Sequence, residues 1–193
     1  MGWRMIPSRR SSRRVRSAGS AARAGTARSI LRPIPSSTPS PTGPKLVMFS
    51  SAGRKHSQRN AAETGVFTCN FVSRDLAEKM NLSSAALPYG ESEFGFAGLT
   101  PKQAELIDAP YVGEAFAVLE CRVTEIIEPK TLSGTPSENV IVFGEVIGIR
   151  IDEAIVRDGR LDMSIARPVA RMGYMDYSEG SDVFEMLRPQ VEG

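Results

Sequence analysis

From Lys45 onward, apolar residues come in short runs separated by polar and glycine-containing stretches. Leu46 to Ser51 (LVMFSS) is a short apolar run of β character, followed by Ala52, Gly53 and the polar cluster Arg54, Lys55, His56, Ser57. The stretch SQRNAAETG predicts one short helix, with Ser57 as N-cap and Gly65 as its stop. Val66 to Ser73 predicts a second strand and Arg74 to Asn81 a second short helix. Leu82 to Gly98 reads as a loop punctuated by Pro88, Gly90, Gly95 and Gly98, and Thr100 with Pro101 predicts the cap and first turn of a brief helix through Ile107. Two long β segments follow, Ala115 to Glu128 and Asn139 to Asp152. The turn-forming residues PKTLSGTPSE between them predict an antiparallel hairpin. The pattern is mainly β with short helices, and long antiparallel strands in a chain of 193 residues suggest a barrel.

Before Lys45 this rhythm is missing. Residues 1–44 hold nine Arg, nine Ser and six Pro, with no Lys, Asp or Glu, so the segment carries +9. Residues 45–193 keep the other 15 of the 24 basic residues and all 22 acidic ones, a net of minus 7; the formal total of +2 conceals two compositions joined end to end. Such an arm cannot bury enough surface to offset its ordering entropy, so composition predicts disorder. Three readings compete for it: a nucleic-acid-binding arm, an organelle transit peptide and a product of translation in the wrong frame. The nucleic-acid reading ranks low, because Trp3 is the arm's only aromatic residue and stacking side chains are not interleaved with the arginines.

The frame reading can be tested on the sequence, because each pair of successive residues fixes the last two bases of a codon in a neighbouring frame. With suitable synonymous codons, Gly2 to Gly19 re-reads as LAHDPFKAIVAPRPIGW, and Ala24 to Pro44 as RDGT, one open position, then NLAPYSFFNAFSDRP. Each junction leaves one base free, so neither string is unique. Both nonetheless carry clustered and alternating apolar residues where the written arm has none, and one extra base near Pro44 restores the frame at Lys45.

Composition narrows the chemistry further. No apolar run is long enough to span a bilayer, and two cysteines make no disulfide framework; what remains is expected to be soluble. His56 is the single histidine, which removes a His-rich metal site and any mechanism needing two imidazoles, so it reads as a phosphate or solvent contact. No metal site is expected. Cys69 and Cys121 fall inside predicted strands and read as buried reduced thiols, while Asp75 and Glu78 read as a solvated helix face. No GxGxxG, Walker-type or GxSxG motif occurs. The most informative segment is Ser50 to Ser57, which runs from a strand end through Gly53 into a helix start. Unpaired N–H groups there, two cations and the hydroxyls of Ser50, Ser51 and Ser57 suit a phosphate; a solvated basic turn is the alternative. Arg167, Arg171, Tyr174 and Tyr177, within Ala166 to Ser178, read as a loop suited to a planar anionic ligand, or as a surface turn held by ion pairs.

Taken in order, LVMFSSAGRKHSQRNAAETGVFTCNFVSRDLAEKMN, FGEVIGIRID and ARPVARMGYMDY resemble the flavin reductase-like family of FMN-binding split β-barrels, over about Lys45 to Pro189. The re-read strings FKAIVAPRPIGW and NLAPYSFFNAFSDRPK resemble that family's opening strands, which favours a frameshift over a transit peptide. The division expected is therefore 1–44, a basic arm that is disordered or a frameshift product, and 45–193, the split-barrel domain with its first strands missing or disordered. The resemblance implies a cytoplasmic homodimer that binds FMN near its interface and reduces flavin with NADH or NADPH, in some cases for a partner monooxygenase. It implies phosphate contacts from Arg54, Lys55 and Ser57, with Ser50, Ser51 and His56 beside them, and an approach of Arg171 to the flavin. No catalytic residue is named, because the isoalloxazine ring performs the transfer itself. The segment resembling APYSFFN, which in that family lines the isoalloxazine and ribityl part, is absent from the chain as written. Weak or absent FMN binding by this polypeptide is therefore expected. A non-catalytic flavin-binding protein on the same fold is the alternative reading, and nucleic-acid binding through the arm ranks below both.

Overall fold

The computed structural model describes residues 43–88, 90–187 and 189–190. The basic arm through residue 42, with its predicted disorder and its frame reading, lies outside the described residues. The scaffold is one four-stranded antiparallel sheet in the order β1-β6-β5-β2, made of β1 (Leu46–Ala52), β2 (Val66–Asn70), β5 (Ala117–Ile127) and β6 (Asn139–Ile151). The predicted long hairpin is β5 and β6; β6 starts at the expected Asn139 and the other ends lie one or two residues inside the expected ones. β6 shows why it forms: Val140, Val142, Gly144, Val146 and Gly148 are buried in strict alternation with half-buried neighbours, the period of a strand with one face on the core.

Two of those inward positions are glycines because the opposing layer comes too close for a side chain. A Cβ on Gly144 would lie 2.5 Å from the Phe67 ring, and one on Gly148 2.6 Å from Cδ1 of Leu106. Phe67 in turn packs edge-on against Phe49, ring centroids 5.3 Å apart, closing a cluster with Ala61 and Val142. Two register shifts in β5, between Glu120 and Cys121 and between Val123 and Glu125, interrupt the β5–β6 ladder. Such bulges bend a strand and increase its twist, and the sheet curls into a half-barrel.

Helix α1 (His56–Thr64) follows β1 and packs Ala61 beneath the sheet; Gly65 ends it at φ 72°, with its N–H donating to the Ala61 carbonyl. Its N-cap is Lys55, not Ser57: Lys55 is the last extended residue (φ −78°, ψ 169°), and Ser57 is already the second residue of the helix. After β2 a single 3₁₀ turn at Arg74–Leu76 leads into α2 (Ala77–Leu82), so the predicted second helix is two pieces. The expected loop from Leu82 to Gly98 contains α3 (Glu93–Ala97), a turn and a half that buries Phe94 against Val112.

The brief helix expected at Thr100 to Ile107 is replaced by a strand, β3 (Pro101–Gln103), paired with β4 (Pro110–Val112). Thr100 does not cap a helix because its N–H and hydroxyl both donate to the Glu114 carboxylate, at 3.1 and 2.8 Å, and Pro101 then starts an edge strand. The loop after β3 is pinned from below by the buried Glu120, whose carboxylate accepts the N–H groups of Glu105 and Leu106. Small strands β7 (Val156–Arg157) and β8 (Arg160–Leu161) and helix α4 (Met163–Ala166) lead to a final pair, β9 (Val169–Gly173) and β10 (Asp176–Glu179). The predicted loop at Ala166 to Ser178 is thus largely a hairpin. Among the described residues no helix is long and apolar enough to cross a membrane.

Candidate functional site

The turn between β1 and α1 collects six of the seven predicted site residues. Ser50 is exposed on the edge strand while Ser51 is buried and donates its hydroxyl to the Gly53 carbonyl at 2.8 Å. Gly53 sits at φ 78°, left-handed space where a side chain would be strained, and reverses the chain. Its N–H donates to the Glu138 carbonyl at 2.8 Å, and its own carbonyl accepts the Lys55 N–H at 3.0 Å. The reversal therefore fixes Arg54 and Lys55 at the start of α1.

The side chain of Lys55 makes no capping bond, so α1 begins without the side-chain acceptor that usually occupies its first N–H groups. Those donors, the positive end of the helix and two exposed cations lie together at this turn, a composition suited to an anion. His56 and Ser57 are half-buried in the first turn of α1, where a phosphate would stand. The donor set suits a phosphate monoester. The segment expected to line a flavin ring is absent from the chain as written.

Sequence reasoning missed Glu128. Its Oε1 lies 2.8 Å from Nη2 of Arg54, 74 residues away in the chain. The sheet brings it there: Ser50 on β1 is opposite Ile141 on β6, and Ile141 is opposite Ile127 on β5, so Glu128 emerges at the end of the same row. Once the hairpin register is known, this neighbourhood follows; without it, no local motif announces the pair.

Arg171 is not brought to that turn. It lies on β9, its guanidinium 5.6 Å above the Tyr177 ring, and donates to the Tyr177 hydroxyl at 3.4 Å and to the Tyr174 carbonyl. Tyr174 occupies the hairpin tip at φ 45° and is almost wholly exposed. The hairpin is fastened by Arg167, which grips Glu179 with two bonds of 2.9 and 3.0 Å and Asp75 with one of 3.2 Å. The Arg167 guanidinium holds the Glu179 carboxyl below its ordinary range, and Glu179 in turn raises Arg167. Asp75 thus belongs to this clamp, although with most of its side chain in water.

The two cysteines are free and buried within the sheet. Cys69 on β2 is opposite Leu119 and Cys121 on β5 opposite Phe67, so they sit diagonally across one strand pair. A hydrogen bond that the protonated Cys121 S–H makes to Cys69, then burial, pushes the Cys121 thiol well above its usual range and keeps it protonated.

A family model described as flavin reductase like domain matches residues 17–164. An uncharacterized protein of Halalkalibacterium halodurans is 31% identical over 137 residues, 71% of this chain and 65% of its own length. The chain spans just under two thirds of the length of the curated relatives it matches first. Among solved structures, the nitrilotriacetate monooxygenase component B of Bacillus cereus superposes with a TM-score of 0.67 at 30% identity, over 73% of this chain and 71% of that one. A Shewanella frigidimarina protein with a split barrel domain gives 0.65 at 26% identity, over 76% and 72%. The half-barrel described above is therefore the split-barrel fold.

Proposed function

The chain belongs to the flavin reductase like domain family, and from that premise we propose that it is an FMN-binding oxidoreductase that reduces flavin with NADH or NADPH. The observation that carries the proposal is the β1–α1 turn, where Arg54, Lys55, Ser57 and the uncapped start of α1 converge on a position suited to a phosphate. Ser50, Ser51 and His56 complete its wall. When bound, the flavin would supply the hydride and electron chemistry. The chain's own residues anchor the phosphate, orient the ring through that anchor and leave acid–base work to none of the side chains named. The Bacillus cereus relative is a monooxygenase component, which supports a partner monooxygenase as the consumer of reduced flavin.

A homodimer fits the apolar surface that the domain leaves uncovered. Met172, Tyr174 and Met175 on the last hairpin, with Phe184, Met186 and Leu187 after it, are each at least two-thirds exposed. In this reading residues 1–44 are a misread form of the opening strands, which would pair with the outer edge of β1, where Leu46 and Met48 are about half exposed. Purifying the chain as written beside a frame-corrected one, and comparing flavin absorbance, tests this: FMN is expected to be retained by the corrected chain and largely lost by the other, and equal occupancy would overturn the frame reading. Steady oxidation of NADH or NADPH with added FMN separates a reductase from a non-catalytic flavin carrier. A corrected chain that holds FMN and oxidises neither nucleotide is the carrier.

A further inference from the structure

We infer that Glu128 weakens the grip of the β1–α1 turn on a phosphate monoester by occupying Arg54 until the ligand displaces it. The inference rests on the phosphate reading of that turn and adds to it a residue that sets affinity. The pair is short, 2.8 Å, with side-chain exposures of 78% for Arg54 and 49% for Glu128, so either partner can leave it without repacking a core. Its geometry is nevertheless imposed by the scaffold. Ladder pairing fixes the end of β5 two strands from Ser50, and the Gly53 N–H is tied to the Glu138 carbonyl at the far end of the same hairpin loop. Glu128 and Glu138 therefore flank the turn, one through its carboxylate and the other through its backbone.

Arg54 has five N–H donors, and a phosphate dianion is the stronger acceptor for them, since it carries more charge and accepts in bidentate fashion. Binding is thus an exchange: a carboxylate leaves the guanidinium and a phosphate takes its place. Exposed ion pairs of this kind shift equilibria by about two- to five-fold, and the ligand must overcome that factor. The consequence is a phosphate site whose affinity Glu128 holds below what Arg54 alone would give.

The test uses the full chain in its frame-corrected form, with FMN titrated by ³¹P NMR and riboflavin, which lacks the phosphate, titrated in parallel. Glu128→Gln is expected to tighten FMN about two- to five-fold and leave riboflavin unchanged. Glu138→Gln, which keeps the carbonyl that Gly53 uses, is expected to change neither, and in an Arg54→Gln background the Glu128→Gln gain is expected to vanish. Unchanged or weaker FMN binding in Glu128→Gln, or an equal gain in Glu138→Gln, would overturn the inference while leaving the phosphate site standing. An unsubstituted chain that binds FMN no better than riboflavin would remove the phosphate site, and the inference with it.

Discussion

The β5–β6 and β9–β10 hairpins are both antiparallel, yet they are stabilised by different physics. In the first, Val118, Leu119, Cys121, Val140, Val142 and Val146 are buried, and the ladder runs from Ala117 opposite Ile151 to Ile127 opposite Ile141. In the second, the strands pair over only four or five residues, Val169 alone is buried, and the attachment to the domain is two backbone bonds, Val169 N–H to the Val72 carbonyl and Arg74 N–H to the Arg167 carbonyl, beside the exposed Arg167–Asp75 pair. Burying one large aliphatic side chain stabilises by about 1.5–3 kcal/mol, whereas solvated ion pairs give little and are screened by salt. The first hairpin is held by the core it buries. The second holds its shape locally while presenting Met172, Tyr174 and Met175 outward, the surface a second subunit would cover.

The contrast breaks most severely if a core position in the first hairpin behaves like a surface one. Leu119→Ala is expected to cost about 2–5 kcal/mol, measured by denaturant unfolding; a loss below half a kcal/mol would mean that the sheet is not the stability core. Next in size, Gly144→Ala is expected to cost about 1–3 kcal/mol, because the new methyl meets the Phe67 ring and the ring is itself wedged against Phe49. A neutral result there would mean that this layer yields easily. The smallest global effect belongs to the clamp. Glu179 titrates below its ordinary value in the folded chain, so its contribution is complete above the unfolded carboxylate pKa of about 4.3 and fades as pH falls through the depressed folded value. Acidification is expected to release the Tyr177 ring resonances of β9–β10 before the β5–β6 amides lose protection. Simultaneous loss would show one cooperative unit where the structure describes two.

What could be read from the chain follows the same division. β1, β5 and β6 were legible because apolar alternation and turn residues act locally, and α1 was legible up to Gly65. Its start was misplaced by two residues because a Ser resembles a cap on paper, whereas the backbone of Lys55 already turns into the helix. The helix proposed after Thr100 failed because Glu114, fourteen residues on, takes both of its donors. At the site, the contiguous turn from Ser50 to Ser57 could be assembled from spacing alone. Glu128 could not, since its meeting with Arg54 depends on register across three strands; an approach of Arg171 to a flavin rests on the resemblance alone, and its contacts in the structure are with Tyr174 and Tyr177 of its own hairpin.

The clamp at Arg167 also orders events in time. It joins Asp75, 92 residues earlier, to Glu179, twelve residues later. Contacts between residues so far apart form only after the intervening chain is made and its ends are brought together against loop-closure entropy. During synthesis the β1–α1 turn and the central hairpin can therefore be complete while Glu179 has yet to be added. The closing hairpin is the last piece to lock, because its clamp waits on Glu179.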